Sequence, residues 1–128
     1  MRTISTLFVA LAACSSKGTP PPAMPQATAA CTDLACLKAN EGKVIDVDGT
    51  FVFPPDPTRK GLQLYRLTLA DGTSLVLHQK HARLTRDIDG KHITARGVYY
   101  GHPIPERYGI FQAVADPYLV EIYDVTVR

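Results

Sequence analysis

The chain has 128 residues, which suits one domain with appended segments. Lys and Arg number 14 against 12 Asp and Glu, so the formal net charge is only +2. General nucleic-acid binding needs a concentrated basic patch that neutralises phosphates, and this near balance argues against it. We therefore do not expect nucleic acid to be the partner.

The N-terminal residues have the pattern of a secretory signal. A single Arg is followed by Ile4–Ala13, a run of apolar and small residues. The run is too short to span a bilayer, which takes roughly 20 apolar residues. It ends in Leu11-Ala12-Ala13-Cys14, which resembles the lipobox of bacterial lipoproteins. The resemblance implies that residues 1–13 are a signal peptide and that the Cys14 sulfur carries a diacylglyceryl group. A plain N-terminal helix with a chance cysteine is the alternative.

The residues after Cys14 predict where the protein lies and how it is attached. In lipoproteins of the enteric type, Asp after the cysteine signals retention in the inner membrane, and this chain has Ser15. The resemblance therefore implies the outer membrane, with the protein facing the periplasm. The next residues are rich in Pro, Ala, Ser and Thr and show no apolar periodicity, so they cannot bury enough surface to fold. We interpret residues 14–30 as a lipid-anchored, flexible tether.

The remaining two cysteines, Cys31 and Cys36, form an even pair in an oxidising compartment. We predict a disulfide between them within residues 31–42. This segment also reads as a short helix, with a cap at Thr32 or Asp33 and a stop near Gly42. A metal or thioredoxin-like redox site is the alternative. Those sites use CxxC pairs, whereas this spacing is CxxxxC.

Residues 43–128 read as strands with alternating apolar and polar positions. The predicted strands are Val44–Phe53, Leu62–Leu69, Thr73–His78, Lys91–Tyr100 and Tyr118–Val127. Asp71-Gly72 predicts a tight hairpin between the second and third strands. His81–Asp89 reads as a short helix or a structured loop, and residues 101–117 read as a long loop. The predicted core consists of Ile45, Val47, Phe51, Leu64, Leu67, Leu69, Leu75, Leu77, Ile93, Leu119, Ile122 and Val125.

One phrase occurs twice in this body, as EGKVIDVDGTFVF at Glu41–Phe53 and as DGKHITARGVYYG at Asp89–Gly101. The strand order and spacing resemble the OB-fold, in which the first and fourth strands commonly carry Gly-Lys-x-Val-x-Val-x-Gly. Here the pattern falls on Gly42–Gly49 and Gly90–Gly97. A glycine in mid-strand lets the strand bend at a barrel corner. We predict an all-β, five-stranded OB-fold-like Greek-key barrel with one or two short helices, and we interpret the repeat as two equivalent corners. An open sandwich or an SH3-like partial barrel is the alternative.

Two runs of the body carry a second resemblance. ADGTSLVLHQ, followed by DGKHITARG, is similar to a group of small bacterial lipoproteins. This resemblance implies no function.

No catalytic constellation is evident in the sequence. The histidines are His78, His81, His92 and His102. His78-x-x-His81 could supply two metal ligands, but zinc sites need three or four ligands with supporting groups around them. Ser74 lies in a hairpin strand without the neighbouring base that a nucleophile requires. We expect a protein that is not an enzyme and has no metal or cofactor. A hydrolase, with His and acids clustered in one pocket, is the less favoured alternative.

A set of basic and aromatic residues is the candidate ligand site. In OB-folds the loops after the first and fourth strands bind oligonucleotides or oligosaccharides. Aromatic stacking and Arg contacts would suit a glycan, a peptide or an anionic ligand. The set consists of Arg59, Lys60, Tyr65, Arg66, Arg96, Tyr100, Arg107 and Tyr108. We expect an envelope binding module, with a structural subunit of an envelope protein complex as the alternative. A purely structural role for these side chains in the barrel also stays open.

Overall fold

The computed structural model describes residues 24–54, 64–101, 105–111 and 116–128. Several predictions therefore concern residues outside the described ones. They are the signal peptide, Cys14, the tether up to residue 23, the start of the second strand at Leu62, and the site residues Arg59 and Lys60.

The described residues form six strands and one α-helix. They are β1 Ala30–Cys31, α1 Leu34–Ala39, β2 Val44–Val52, β3 Tyr65–Thr68, β4 Ser74–Gln79, β5 His92–Tyr100 and β6 Tyr118–Val127. Short 3-10 helices cover Arg86–Ile88 and Glu106–Phe111. Each predicted strand thus corresponds to one of β2 to β6, and β1 is an additional strand.

Strands β2 to β6 close into a barrel with the order β2–β3–β4–β6–β5, because β5 also pairs with β2. β4 and β6 are parallel, and the other neighbouring barrel strands are antiparallel. β6 lies between β4 and β5, so the chain that contains Arg86–Ile88 must cross to the far side of β6. This is the predicted all-β, five-stranded OB-fold-like barrel, and it excludes the open sandwich.

The barrel interior is filled by alternating apolar side chains of all five strands, together with Leu37 of α1. Ten of the predicted core residues are buried: Ile45, Val47, Phe51, Leu67, Leu69, Leu75, Leu77, Ile93, Leu119 and Ile122. Val125 is partly buried against the same core. The prediction for Leu64 is wrong. Its side chain packs against a second apolar cluster, on the outer face of the sheet.

The two copies of the repeated phrase fall on β2 and β5, which pair with each other, and we call the surroundings of Gly49 and Gly97 the two corners. A Cβ at Gly49 would lie 2.7 Å from the Thr68 carbonyl oxygen, and one at Gly97 would lie 2.7 Å from that of Val120. Any side chain at either position would collide with backbone. The β2–β5 register pairs Ile45 with Gly97 and Gly49 with Ile93, so an approximate twofold relation links the two strands.

A short stretch before α1 adds the strand that was not predicted. The Thr28 N–H donates to the Val44 carbonyl at 2.8 Å, and Ala30 pairs with Asp46 in a parallel register. β2 pairs with β3 only from Thr50 onward, which leaves the edge of its first half for β1. The sequence places residues 24–30 in the tether, but those from Thr28 onward bond to the barrel through backbone groups, which require no apolar pattern.

The predicted disulfide joins Cys31 and Cys36, with an S–S distance of 2.10 Å and a Cα–Cα distance of 5.4 Å. Asp33 caps α1, since its carboxylate accepts from the Cys36 N–H at 2.9 Å. A second carboxylate, that of Asp71 in the β3–β4 hairpin, accepts from the Leu34 N–H at 2.9 Å. The disulfide therefore ties β1 to a helix that is itself bonded to the barrel.

Candidate functional site

The structure distributes the predicted basic and aromatic residues over several separate places. Tyr65 packs against the barrel core with two phenylalanines. Its ring centroid lies 6.2 Å from that of Phe51 and 5.6 Å from that of Phe53. The Arg86 guanidinium lies 4.6 Å from the Phe53 centroid and covers this group. Tyr65 is therefore part of the packed barrel.

Arg96 lies on the outer face of β5 and makes a two-pronged ion pair with Asp46 of β2. The Nε–Oδ1 distance is 2.8 Å and the Nη2–Oδ2 distance is 3.0 Å. The hydrogen bond to Asp46 is the main cause that raises the pKa of Arg96. Its Nη1 also donates to the Pro25 carbonyl at 3.1 Å. Arg96 thus holds the segment before β1 to the seam between β2 and β5.

Arg66 lies on β3, where its Nη1 is 2.7 Å from Asp116 Oδ2 and 3.1 Å from Ser74 Oγ. Ser74 and Asp116 also line an open cleft of about 650 Å³, together with Tyr99. Burial raises the pKa of Tyr99, followed in size by the charge of Glu41. Arg66 is thus neutralised by a carboxylate beside this cleft.

Three of the predicted residues do come together. The 3-10 helix Glu106–Phe111 lays Tyr108 on the outer face of the sheet. The Arg107 guanidinium lies 4.9 Å from the Tyr108 ring centroid, and its Nη2 donates to the Tyr100 hydroxyl at 3.3 Å. The centroids of Tyr100 and Tyr108 are 6.2 Å apart. Tyr108 is buried in a cluster with Val76, Val98, Tyr118 and Val120.

Glu121 of β6 contacts two ring side chains, those of Tyr108 and His81. The Tyr108 hydroxyl donates to Glu121 Oε2 at 2.6 Å, and His81 Nε2 lies 2.9 Å from Oε1. The hydrogen bond from Tyr108, with a smaller one from His81, lowers the pKa of Glu121 despite some burial. Burial and, second, the bond to Glu121 raise the pKa of Tyr108. At neutral pH Glu121 is an ionised acceptor and Tyr108 a protonated donor.

Aromatic rings surround this carboxylate. The His81 ring stacks on Tyr123 with a centroid distance of 4.8 Å and an angle of 8° between the ring planes. His78 lies edge-on to Tyr108 at 5.8 Å, and burial lowers its pKa. The side chain of His81 is 45% exposed and that of Glu121 is 21% exposed, so part of the group faces solvent. We call Glu121, His81, Tyr100, Arg107, Tyr108 and Tyr123 the Glu121 cluster.

The backbone at Glu121 is strained. Among the described residues it is the one residue other than glycine with a positive φ, at 56°. Such a conformation costs on the order of 1–3 kcal/mol. The β5–β6 register shifts between Arg96 and Val98, and the β4–β6 register shifts between Leu77 and Gln79. Irregularities of this kind re-aim side chains, and here the carboxylate points to Tyr108 and His81.

The sequence predicted neither Glu121 nor Tyr123 as site residues, although one signal was available. The predicted core contains both Leu119 and Ile122, which are three residues apart. Side chains alternate between the two faces of a regular strand, so positions three apart cannot both point inward. An extra residue between them has to bulge, and Glu121 is the polar residue in that interval.

Within the described ranges, no group of three or more His, Cys, Asp or Glu side chains is arranged to hold a metal ion. His78 and His81 contact different partners, Tyr108 and Glu121 respectively. In the same part of the chain, no helix has the length and apolar character needed to cross a bilayer. The Glu121 cluster contains hydrogen-bonding groups and aromatic ring contacts.

The chain was compared with protein-family models, with curated proteins and with solved structures. No family model matches it, and neither other comparison gives a significant match.

Proposed function

We propose that this protein is a lipoprotein of the bacterial outer membrane that faces the periplasm and binds an envelope ligand without catalysing a reaction. The lipobox ending in Cys14 supports the anchor. The attachment of Pro25 to Arg96 supports a short tether, because about ten residues then separate the lipid from the barrel. At roughly 3.1 Å per residue they reach about 30 Å when extended.

The binding role rests on one observation. The carboxylate of Glu121, a residue with a strained backbone, lies in a partly exposed aromatic surface. Backbone strain is concentrated at functional sites. The loop after β5 supplies Arg107 and Tyr108 to this surface, and the corresponding loop contributes to ligand binding in OB-folds. Among the ligand classes, a glycan or a peptide is favoured over an anion, because Arg66 and Arg96 already pair with carboxylates.

The alternative, a structural subunit of an envelope complex, would use an exposed apolar patch or a free strand edge. In the described ranges the exposed large apolar side chains are Met24, Val52 and Val127. The barrel pairs both edges of β3 to β6, and the edge of β1 is two residues long. These features support the alternative less than the Glu121 cluster supports ligand binding.

The anchor is tested by expressing the full chain and its Cys14→Ser variant in a bacterium fed a clickable palmitate analogue. We expect the label and outer-membrane fractionation for the natural sequence and neither for the variant. An unlabelled, soluble protein with the natural sequence would contradict the anchor.

The binding role is tested with the lipidated protein extracted in detergent. It is incubated separately with purified peptidoglycan, with lipopolysaccharide and with immobilised envelope proteins. Retention by either glycan fraction supports a binding module, whereas retention by the protein fraction alone supports a structural subunit. No retention by any fraction would contradict both.

A further inference from the structure

We infer that the Glu121 cluster is a binding surface for a neutral sugar. This inference rests on the proposed function, and it adds the ligand class and the residues that recognise it. Three properties of the cluster carry it: the free acceptor capacity of the carboxylate, the ring surface beside it, and the charges around it.

The Glu121 carboxylate retains capacity for a ligand. An ionised carboxylate offers about four acceptor positions. Tyr108 uses one on Oε2 and His81 one on Oε1, which leaves about two. The side chain is 21% exposed, so these positions can accept hydrogen bonds from outside. Hydroxyl groups of a sugar are donors of the required kind.

The rings beside Glu121 form a surface that suits the C–H face of a sugar ring. The His81 and Tyr123 rings stack nearly parallel, and the Tyr100 and Tyr108 rings lie 6.2 Å apart at a tilt. Tyr100 and Tyr123 are half-buried, so their rings are held while part of each faces solvent. Ligand sites commonly combine apolar or aromatic walls with a few placed polar groups. Arg107 is exposed and adds N–H donors for sugar oxygens.

The charges of the cluster argue against ionic ligands. The ionised carboxylate of Glu121 repels an anion. A cationic ligand would meet Arg107, which already lies over the Tyr108 ring, and the positive charge of Lys80, which acts on Glu121. A neutral polyhydroxyl compound avoids both repulsions and can donate to Glu121 while it accepts from Arg107.

Asp48 of β2 provides a matched control outside the Glu121 cluster. Its carboxylate accepts from the Thr94 hydroxyl and lies 3.5 Å from Arg128 Nη2, so it also has one hydroxyl and one basic partner. It lies within a regular, extended stretch of β2. The variants Glu121→Gln and Asp48→Asn therefore remove equivalent charges at two corners of one barrel.

The experiment uses the full-length protein in detergent and three tetrasaccharides that differ in charge. The probes are the neutral N-acetylglucosamine tetramer, the cationic glucosamine tetramer and the anionic galacturonic acid tetramer. Affinities are measured by isothermal titration calorimetry. We expect the neutral probe to bind. We expect Glu121→Gln to weaken it about tenfold or more, because hydrogen bonds to a charged acceptor are strong. Asp48→Asn should change the affinity by less than about twofold, because its partners Thr94 and Arg128 do not belong to the Glu121 cluster.

Thermal unfolding of each variant separates loss of the site from loss of the fold. If Glu121→Gln does not fold, the exposed Arg107→Gln variant replaces it, with a several-fold loss expected. Equal affinity of the natural protein and the folded Glu121→Gln variant would overturn the assignment of the site. Binding of only a charged tetramer would overturn the ligand class.

The outcomes also separate this inference from the proposed function. If no tetrasaccharide binds but peptidoglycan or lipopolysaccharide still retains the protein, the neutral-sugar site is wrong and the binding module stands. If no envelope fraction retains the protein either, both are wrong.

Discussion

The corners at Gly49 and Gly97 have nearly the same contacts. At each, the position of a Cβ would lie 2.7 Å from a carbonyl oxygen and 2.9 Å from a leucine Cγ. A carboxylate lies beside each corner. Asp48 precedes Gly49 in β2, and Glu121 follows Val120, whose carbonyl oxygen faces Gly97.

The two corners differ in the backbone around these carboxylates. The β2–β5 ladder is continuous from Val44 to Thr50, and it includes Asp48 in extended conformation. At Glu121 the φ angle is 56°, and β6 shifts its register against both of its neighbours. The first corner shows that the barrel can turn without strain at the carboxylate. At the second corner the irregular backbone lets Leu119 and Ile122 both face the core, and it directs the Glu121 carboxylate to Tyr108 and His81.

The largest expected effect tests whether the corners are equivalent. Gly49→Ala and Gly97→Ala should each destabilise the fold by about 2–3 kcal/mol, because the methyl group is forced against backbone. Urea unfolding gives the free energies. Gly101→Ala is the control, since its Cβ would lie 3.5 Å from the nearest atoms, which is ordinary contact. A corner that accepts alanine at no cost would show that the two are not equivalent.

The next effect concerns β1, which pairs with β2 just before the first corner. Replacing both Cys31 and Cys36 by Ala should lower the free energy of unfolding by about 2 kcal/mol, the amount expected for a short closed loop. Urea unfolding of the oxidised protein and of the variant gives this difference. Addition of a reductant should destabilise the natural protein and leave the variant unchanged. Equal stability of the oxidised protein and the variant would contradict a stabilising role.

Substitution by glycine should affect stability differently at Asp48 and at Glu121. Asp48→Gly should lower the free energy of unfolding by about 1 kcal/mol, because glycine destabilises a strand and the hydrogen bonds of the carboxylate are lost. Glu121→Gly also loses hydrogen bonds, but glycine adopts the positive φ without strain. The free energy of unfolding should therefore change by no more than about 0.5 kcal/mol. Equal losses at both positions in thermal unfolding would argue against strain at Glu121.

The smallest effect is a dependence on pH. The hydrogen bond from Tyr108, with a smaller one from His81, lowers the pKa of Glu121 in the folded state below its ordinary value. The unfolded chain therefore binds the proton more readily, and the contribution of Glu121 to stability is present above that value. It is lost as the pH falls through the folded pKa. The stability difference between the natural protein and Glu121→Gln should shrink on acidification, and parallel curves would contradict the prediction.

Much of the fold could be predicted because it depends on local patterns. Alternation gave the five strands, Asp71-Gly72 gave the hairpin, and the repeated glycines gave the corners. The ion pairs of Arg66 and Arg96 could not be found in this way, since each partner lies 50 residues away in the sequence. Strand β1 depends on backbone bonds that leave no side-chain pattern.

The Glu121 cluster was predicted in part. Tyr100, Arg107 and Tyr108 were recognised as basic and aromatic residues of the right loop and strand. Glu121 was missed, because its carboxylate reaches them only through a break in the regular alternation of β6. The three-residue spacing of the core residues Leu119 and Ile122 was the signal in the sequence that indicates this break.

The most direct test of a functional second corner is an amide NMR titration of the ¹⁵N-labelled protein with the neutral N-acetylglucosamine tetramer. We predict shift changes at Glu121, His81 and Tyr123 and none at Asp48 or Thr94. Changes confined to the Asp48 corner, or no changes at either corner, would contradict the account.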